Sequence, residues 1–193
     1  MKPPERVVLE GRLVRLEPIS ERHRDDLLAA AAQDRETFRY MSSDLSVGAD
    51  AWPEYLADAL RPEYVAWATV DAATGRAVGS SRFGDLAPEH GRVEIGWTWI
   101  APSHQRTAVN TEAKLLQLGY AFDTLGATRV SLKTDGRNLR SQAAIERLGA
   151  QREGTLRRHI RLPDGFIRDT VYFSILDTEW PAVKARLEER LKS

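Results

Sequence analysis

The segment from Ile100 to Lys114 carries the residue types and spacing that most suggest chemistry. It joins an apolar run typical of a β-strand, Val93 to Ile100, to an amphipathic run typical of a helix, Thr111 to Leu125. The first turn of a helix has N–H groups without intrahelical acceptors and the positive end of the peptide dipole, so it attracts phosphate. The guanidinium of Arg106 adds a forked cation suited to a pyrophosphate. The pattern predicts an anion-binding loop.

Other reactive groups are scarce in the sequence. The chain has no cysteine, which excludes disulfides, thiolate metal ligands and a cysteine nucleophile. Dinucleotide-binding, P-loop and serine-hydrolase motifs are absent. The histidines do not fall at the close spacing of a metal site, so we expect no metal: His23, His90, His104 and His159.

Composition bounds the class of protein. The chain has 193 residues, 42% of them hydrophobic and 29% charged, which is typical of one globular domain. Lys plus Arg and Asp plus Glu both number 28, so no overall field favours nucleic acid or a membrane surface. No apolar run approaches the roughly 20 residues of a membrane span, and the N-terminus lacks the apolar segment of a secretory signal. We expect a cytoplasmic protein.

Hydrophobic periodicity and turn residues predict the elements that position the loop. Before it we expect a strand at Leu13 to Leu16, a helix capped by Ser20, a helix at about Ala51 to Leu60, and paired strands at Tyr64 to Val70 and Ala77 to Phe83. After it we expect a strand at Thr128 to Thr134, a helix from the cap Asn138 to Gly149, strands at about Ala150 to Arg158 and Phe166 to Leu176 around a turn at Leu162 to Gly165, and a helix at Glu179 to Leu191. This order predicts one α+β domain with a mostly antiparallel sheet.

The chain resembles the GNAT superfamily of N-acetyltransferases and, within it, the RimJ/RimL-type branch. The resemblance rests on HQRTAVNTEAK at 104–114, TDGRNLRSQAAIERLGA at 134–150, REGTLRRH at 152–159 and DGFIRDTVYFSILDTEW at 164–180. It implies a GNAT fold over residues 1–193, with a mixed sheet of about seven strands flanked by helices and a C-terminal helix at 178–193. It also implies acetyl-CoA, or another short acyl-CoA, as donor and a primary amine as acceptor.

The family's phosphate loop, Q/R-x-x-G-x-G/A, falls on Gln105, Arg106, Thr107, Ala108, Val109 and Asn110. Neither glycine position holds glycine, the residue that permits close backbone approach and positive φ. Asn110 can still adopt a left-handed conformation or cap the helix, whereas Ala108 must keep φ negative. Our hypothesis is that main-chain donors from Arg106 to Thr111 hold the pyrophosphate of the acyl-CoA.

The strand before the loop also has a role in the family. The resemblance implies that its backbone groups, at Trp99 and Ile100 here, bind the pantetheine amides and polarise the thioester carbonyl. For the side chains of Trp97 and Trp99 we favour core packing, because both share one apolar face of the strand with Val93 and Ile95.

Asn138 and Ser141 match the N-x-x-S of the branch. The resemblance implies that Asn138 contacts the cofactor, besides capping its helix, and that the hydroxyl of Ser141 lies near the sulfur. Ser141 would then donate a proton to the departing thiolate. Many GNAT enzymes use a tyrosine four residues later for this task, and Ile145 occupies that position here.

The general base is less well defined. Some RimL-type enzymes place a glutamate where this chain has Ile160. The remaining candidates are Glu94, on the strand that leads into the site, and His159, next to the missing carboxylate. A solvated strand glutamate is an equally good interpretation of Glu94, and strand alternation can direct His159 away from the site.

Acceptor residues are suggested by the resemblance and by charge. Tyr40 and Met41 follow the first helix, in the region that forms the acceptor lip in relatives. Arginines that cluster on the last two strands either favour an acidic acceptor or form a solvated face: Arg152, Arg157, Arg158, Arg161 and Arg168. Of these we assign Arg158 to substrate binding. A site without a strong base suits an α-amine, with a pKa of about 8, better than a lysine amine at about 10.4.

The leading interpretation is acetyl transfer to a protein N-terminal α-amine by direct attack in a ternary complex, since no cysteine can carry an acyl intermediate. A small-molecule acceptor, such as a polyamine, amino acid or antibiotic, is the alternative within this class. The alternative from a different class is a non-catalytic acyl-CoA-binding module, which the altered loop and the missing glutamate suggest. An RNA-binding role ranks third, and the balanced charge argues against direct contact with nucleic acid. The sequence does not decide whether the protein forms a homodimer.

Overall fold

A computed structural model describes residues 1–162 and 164–192. Its helices and strands run in chain order as β1 Leu9–Glu10, β2 Val14–Pro18, α1 Arg24–Ala31, α2 Trp52–Ala59, β3 Val65–Asp71, β4 Ala77–Ala87, β5 Arg92–Ile100, α3 Val109–Gly119, β6 Arg129–Asp135, α4 Leu139–Leu148, β7 Gln151–Arg161, β8 Ile167–Leu176 and α5 Trp180–Arg190. A π-helical turn, Tyr120–Thr124, continues α3. Short 3-10 turns occupy several of the connections.

The strands form one sheet in the order β1-β2-β3-β4-β5-β6-β8-β7. Every neighbouring pair is antiparallel except β5 and β6, which are parallel. The predicted α+β class and mostly antiparallel sheet are therefore confirmed. The sheet has eight strands where about seven were predicted, because the two-residue β1 pairs with β2 at one edge.

Helices cover both faces of the sheet. Ser80 and Ser81 are consecutive in β4 and therefore face opposite sides. The hydroxyl of Ser80 lies 2.6 Å from that of Tyr55 in α2, and the hydroxyl of Ser81 lies 2.9 Å from Nζ of Lys114 in α3. The helices α2 and α3 thus lie on opposite faces, and α5 packs against α3.

A β-bulge interrupts β5 near its middle. Trp99 pairs with Ser80 and Gly96 pairs with Arg82, so two residues of β5 oppose one residue of β4. Trp97, within the bulge, has a φ of +50°. An extra residue in one strand exchanges the faces on which the following side chains lie.

The bulge makes the predicted single apolar face of β5 wrong. Ile95 pairs with Phe83, which stacks on the aromatic ring directly after α3. Trp99 instead donates its indole N–H to the hydroxyl of Tyr55 in α2 at 2.9 Å. The predicted core packing holds for Trp99, which is 3% exposed, whereas Trp97 is only half-buried.

Most predicted elements are present with shifted ends. The helix α3 begins two residues before the predicted start at Thr111. The predicted turn at 162–165 includes Pro163, which lies outside the described residues, and Gly165 donates its N–H to the carbonyl of Leu162 at 2.9 Å. The C-terminal helix is shorter than 178–193, and Ser193 is also outside the described part.

Candidate active site

A cleft opens between the two parallel strands. Pairing of β5 with β6 covers only three residue pairs and stops at Glu94 and Ser131, although both strands continue. Ala101 donates its N–H to the carbonyl of Val78 on β4 at 2.7 Å, so the residue before it, Ile100, directs its N–H to the opposite edge. Ligands of open α/β sheets bind beyond the carboxyl ends of parallel strands where connections diverge. Both helices that follow these strands begin at this end of the cleft.

The connection after β5 presents a cluster of main-chain donors. Val109 donates its N–H to Oγ1 of Thr107 at 3.3 Å. Among residues 1–162 and 164–192, no acceptor receives the N–H groups of Arg106, Thr107, Ala108, Asn110 and Thr111. Unpaired donors in the first helical turn are the arrangement that binds phosphate groups. The predicted donor segment, 106–111, therefore has the free hydrogen-bonding capacity that the hypothesis requires.

The loop achieves its shape without glycine. Arg106 adopts the left-handed conformation with φ of +62°, while Ala108 keeps a negative φ of −71° as expected. The expectation that Asn110 is left-handed or caps the helix is wrong, because Glu112 donates its N–H to the carbonyl of Ala108 at 2.9 Å and the helix already includes Asn110. The buried Oδ1 of Asn110 has no hydrogen-bond donor in the described part of the chain.

Glu112 fixes the start of α3 to the rest of the fold, a role that the sequence did not reveal. Its buried carboxylate accepts main-chain N–H bonds from Arg12 at 3.1 Å, Leu13 at 2.6 Å and Val14 at 2.8 Å. An acidic residue in the first turn also favours the helix dipole. The first turn of α3 is consequently held rigidly against the β1–β2 connection.

Gln105 ties the cleft walls together. Its Nε2 donates to the carbonyl of Ile100 at 2.8 Å, and its Oε1 accepts from Nη1 of Arg140 in the first turn of α4 at 3.1 Å. The side chain therefore joins the end of β5 to α4. The cofactor contact predicted for Gln105 would have to be made by other atoms of the loop.

The start of α4 faces the same cleft. The Oδ1 atom of Asn138 accepts the N–H of Ser141 at 3.0 Å, which confirms the predicted cap. Ser141 is half-buried, and no partner lies within reach of its hydroxyl among the residues described. The hydroxyl is thus available to a bound molecule.

Trp99 can contribute to the cleft only through its backbone. Its indole is buried, bonded to Tyr55, and packed on Phe38 with ring centroids 5.0 Å apart. Ile100 is 7% exposed and belongs to the same core. The predicted cofactor contacts of these two residues are therefore restricted to main-chain groups along the free edge of β5.

Glu94 is a buried carboxylate at the inner end of the cleft. It is 2% exposed, and its Oε2 pairs with Nζ of Lys133 on β6 at 2.8 Å, so the interpretation as a solvated strand glutamate is wrong. Its Oε1 has no partner among the described residues. Burial raises the pKa of Glu94, and the charge of Lys133 opposes that rise. A Cβ at Gly96 would lie 2.8 Å from Oε1, so glycine leaves room for this carboxylate.

His159 lies on the same side of the sheet as Glu94. An irregularity in β7, where Arg158 has φ of +50° and donates its N–H to Asp169 at 2.6 Å, breaks the alternation that would direct His159 away. Its Nδ1 lies 3.1 Å from Oγ1 of Thr170, and its ring packs edge-on against Tyr172. Burial, with nearby Lys133 and Arg168, lowers the pKa of the imidazole. The side chain of Arg158 is exposed.

Arg137, which was not among the predicted site residues, lies beside Tyr40 of the predicted acceptor lip. The guanidinium of Arg137 lies 5.3 Å from the ring centroid of Tyr40 and 3.5 Å from that of Phe166. The buried Asp135 holds it through bonds of 3.0 and 2.7 Å. Met41 packs partly buried against the core. The Asp-x-Arg spacing at the end of a strand was the available signal.

Lys114 is a second residue that the sequence interpretation missed. It lies buried in α3, under the bulge of β5, and donates to Oγ of Ser81 at 2.9 Å, Oγ1 of Thr98 at 2.7 Å and Oε1 of Gln117 at 2.8 Å. Burial lowers the pKa of Lys114 to about 7. The side chain thus connects α3 to the strand that borders the cleft.

Neither metal ligands nor a membrane segment emerge from the part of the chain that the structure describes. Over residues 1–162 and 164–192, no three His, Asp or Glu side chains gather in a group that could hold a metal ion. Over the same ranges, no helix combines the length and apolar character that crossing a bilayer demands.

Comparison with known proteins identifies the family. Residues 13–151 match the family described as "Acetyltransferase (GNAT) domain", so the chain belongs to the GNAT acetyltransferase family. The uncharacterized N-acetyltransferase YoaA of Bacillus subtilis is 30% identical over 58% of this chain and 62% of its own length. The matched regions cover between 50% and 62% of the length of the curated relatives.

Solved structures share the whole fold. A GCN5-related N-acetyltransferase from Brucella melitensis has a TM-score of 0.93 and 33% identity, covering 98% of this chain and 88% of that chain. RimJ of Mycobacterium smegmatis, solved in complex with CoA-disulfide, has a TM-score of 0.81 at 22% identity, covering 98% of this chain and 97% of that chain. At that identity the second comparison supports the fold alone.

Proposed function

We propose that this protein is an acetyl-CoA-dependent N-acetyltransferase of the RimJ/RimL type that acts on a primary amine, most favourably a protein N-terminal α-amine, in the cytoplasm. We further propose that residues 1–193 work as one catalytic domain. The observation that carries the proposal is the cleft between β5 and β6, with unpaired N–H groups of 106–111 at its mouth and a buried carboxylate at its inner end.

The residues at the mouth fit an acyl-CoA. The free N–H groups from Arg106 to Thr111 supply donors for a pyrophosphate, and the free edge of β5 supplies donors and acceptors for the pantetheine amides. The orphaned Oδ1 of Asn110 can accept a hydrogen bond there. When bound, acetyl-CoA supplies an activated thioester carbonyl, and a main-chain N–H of β5 would stabilise negative charge on its oxygen.

Three side chains are suited to move protons. The Oε1 atom of Glu94 has no hydrogen-bond partner and can accept a proton from the amine through a water molecule. The neutral imidazole of His159, whose pKa is lowered, can extend that relay. On the other wall, the hydroxyl of Ser141 can donate a proton to the leaving sulfur. Base and acid lie on different elements, Glu94 on β5 and Ser141 on α4.

The acceptor class follows from the chemistry of this base. Burial raises the pKa of Glu94 and pairing with Lys133 limits the rise, so the base is a carboxylate that takes a proton more readily from an amine of low pKa than from one of high pKa. Freeing an α-amine of its proton at pH 7 costs about 1 kcal/mol, whereas freeing a lysine amine costs about 4–5 kcal/mol. The site therefore favours an N-terminal α-amine over an internal lysine.

Release of CoA thiol, measured with acetyl-CoA and three acceptor panels, tests the proposal. The panels are peptides with free N-termini, N-terminally blocked peptides containing lysine, and small amines such as polyamines and aminoglycosides. We expect the highest kcat/KM with free N-termini. Faster transfer to lysine peptides or to polyamines would overturn the proposed acceptor, and CoA binding without turnover on any amine would show a non-catalytic acyl-CoA-binding module.

A further inference from the structure

A polar surface borders the inner end of the cleft. Lys133 pairs with Tyr172 and Asp135 pairs with Thr170 across β6 and β8, and alternate residues of a strand share a face. Because Lys133 contacts Glu94, the side chains of Lys133, Asp135, Thr170 and Tyr172 lie on the same face of the sheet as Glu94, the proposed base. We call this surface the acceptor floor, which comprises Glu94, Lys133, Asp135, His159, Arg168 and Tyr172.

The carboxylates of the acceptor floor already have cationic partners. Glu94 pairs with Lys133 at 2.8 Å, and Asp135 pairs with Arg137 at 2.7 Å. Each carboxylate is thereby neutralised locally by its own partner. A further cation on this floor would remain without a matched charge from the protein.

Arg168 is such a cation. Its Nε donates to Oγ1 of Thr170 at 3.1 Å, but its two Nη atoms form no hydrogen bond or ion pair with any residue in the ranges 1–162 and 164–192. It is half-buried and interacts electrostatically with Glu94 and Asp135, which lie beyond ion-pair distance. A guanidinium stays charged in a protein, so a half-buried one without an anion is a binding group awaiting a ligand.

The other arginines of the same region differ from Arg168. They are all exposed: Arg152, Arg157, Arg158 and Arg161. The side chain of Arg152 bonds within its own strand, and that of Arg161 bonds to its own turn. The cofactor phosphates have their donors at 106–111, which follow β5, whereas Arg168 lies on β8 with β6 in between. The geometry therefore directs Arg168 to the acceptor rather than to the nucleotide.

We propose that Arg168 binds a carboxylate of the acceptor, so that the preferred substrate carries an anionic carboxylate close to its reactive amine. The inference rests on the proposed function. In this arrangement the amine lies over Glu94 and the carboxylate accepts paired N–H bonds from the two Nη atoms of Arg168. Two sources offer this chemistry: an N-terminus followed by an acidic side chain, and a free α-amino acid.

Matched acceptor pairs test the inference. One pair is a peptide amide with glutamate as its second residue and the same peptide with glutamine, and the other is alanine and alaninamide. We expect the wild-type kcat/KM to be at least tenfold higher for the carboxylate member of one pair, as for loss of a charged hydrogen bond. The pair that shows the preference identifies the source of the carboxylate.

Substitutions assign the preference to Arg168. Arg168→Gln should reduce it at least tenfold and Arg168→Lys should keep part of it, while Arg147→Gln, an equal charge change on the exposed surface of α4, should leave it intact. Equal kcat/KM for both members of both pairs in the wild type overturns the inference alone, even if Arg168→Gln does not fold. A preference that survives Arg168→Gln also overturns it. Absence of turnover on every amine overturns the proposed function together with the inference.

Discussion

Replacing Lys114 with methionine should change how the stability of the protein depends on pH. Burial lowers the pKa of Lys114 to about 7 from its usual 10.5. Between those values the unfolded chain carries a proton that the folded chain lacks, so the free energy of unfolding rises with pH. Above the upper value both states are neutral. Below the lower value both are protonated, and the folded protein bears the full cost of the buried ammonium.

The size of this effect follows from the two pKa values. A difference of one proton changes the free energy of unfolding by about 1.4 kcal/mol per pH unit, so the whole window corresponds to about 5 kcal/mol. From about pH 7.5 to 9.5 the contribution of Lys114 is about 2–3 kcal/mol. Methionine does not titrate, and the remaining hydroxyls still pair, with Ser81 lying 2.7 Å from Thr98 and 3.1 Å from Gln117.

Urea unfolding at those two pH values measures the effect. The stability advantage of Lys114→Met over the wild type should be largest at the lower pH and should fall by about 2–3 kcal/mol at the higher pH. Lys2→Met, which removes an exposed lysine, is the matched control and should differ from the wild type by the same amount at both pH values. An advantage of Lys114→Met that does not vary with pH would refute the reasoning.

Three further substitutions test the proposed proton transfers. Glu94→Gln should lower kcat/KM for free N-termini by about 10²–10⁴ without loss of CoA affinity, and unchanged turnover would remove Glu94 from the relay. Ser141→Ala should lower kcat by a factor in the same range, about 10²–10⁴, and full activity would exclude it as the acid. Gly96→Ala places a Cβ 2.8 Å from the Glu94 carboxylate and should lower kcat at least tenfold, whereas Gly154→Ala, whose Cβ meets nothing within 4 Å, should not; equal kcat values would contradict the packing argument.

The order of the elements could be predicted from the sequence because each has a local signal. The paired strands β3 and β4, the Asn138 cap and the end of α4 at Gly149 are short-range features, and all are present in the structure. These features depend on neighbours in sequence, so a single chain contains enough information to place them.

The features that define the site depend on contacts between distant segments. The bulge at Trp97 has no sequence signal, because alternation of apolar residues continues through it. Arg106 takes the left-handed conformation although Asn110 has the higher propensity for it, since the helix already begins before Asn110. The burial of Glu94 depends on Lys133, which is remote in sequence. Tertiary packing decided each of these cases.

The arginine proposed to set acceptor specificity, Arg168, could not be identified from the sequence for the same reason. Five arginines lie on the last two strands and their turn, and Arg158 was the one predicted to bind substrate. Only the pairing of β8 with β6 distinguishes the half-buried Arg168 from the other four, which are exposed. Charge composition could therefore suggest an acidic acceptor, but it could not identify the residue that would bind it.

Titration of the protein with CoA, followed by backbone amide NMR, tests the central claim most directly. We expect saturable binding with a Kd below about 1 mM and the largest shifts at the N–H groups of residues 106–111, with smaller shifts along the free edge of β5. Saturation without shifts at 106–111, or with the main shifts outside both this loop and the free edge of β5, would contradict the account.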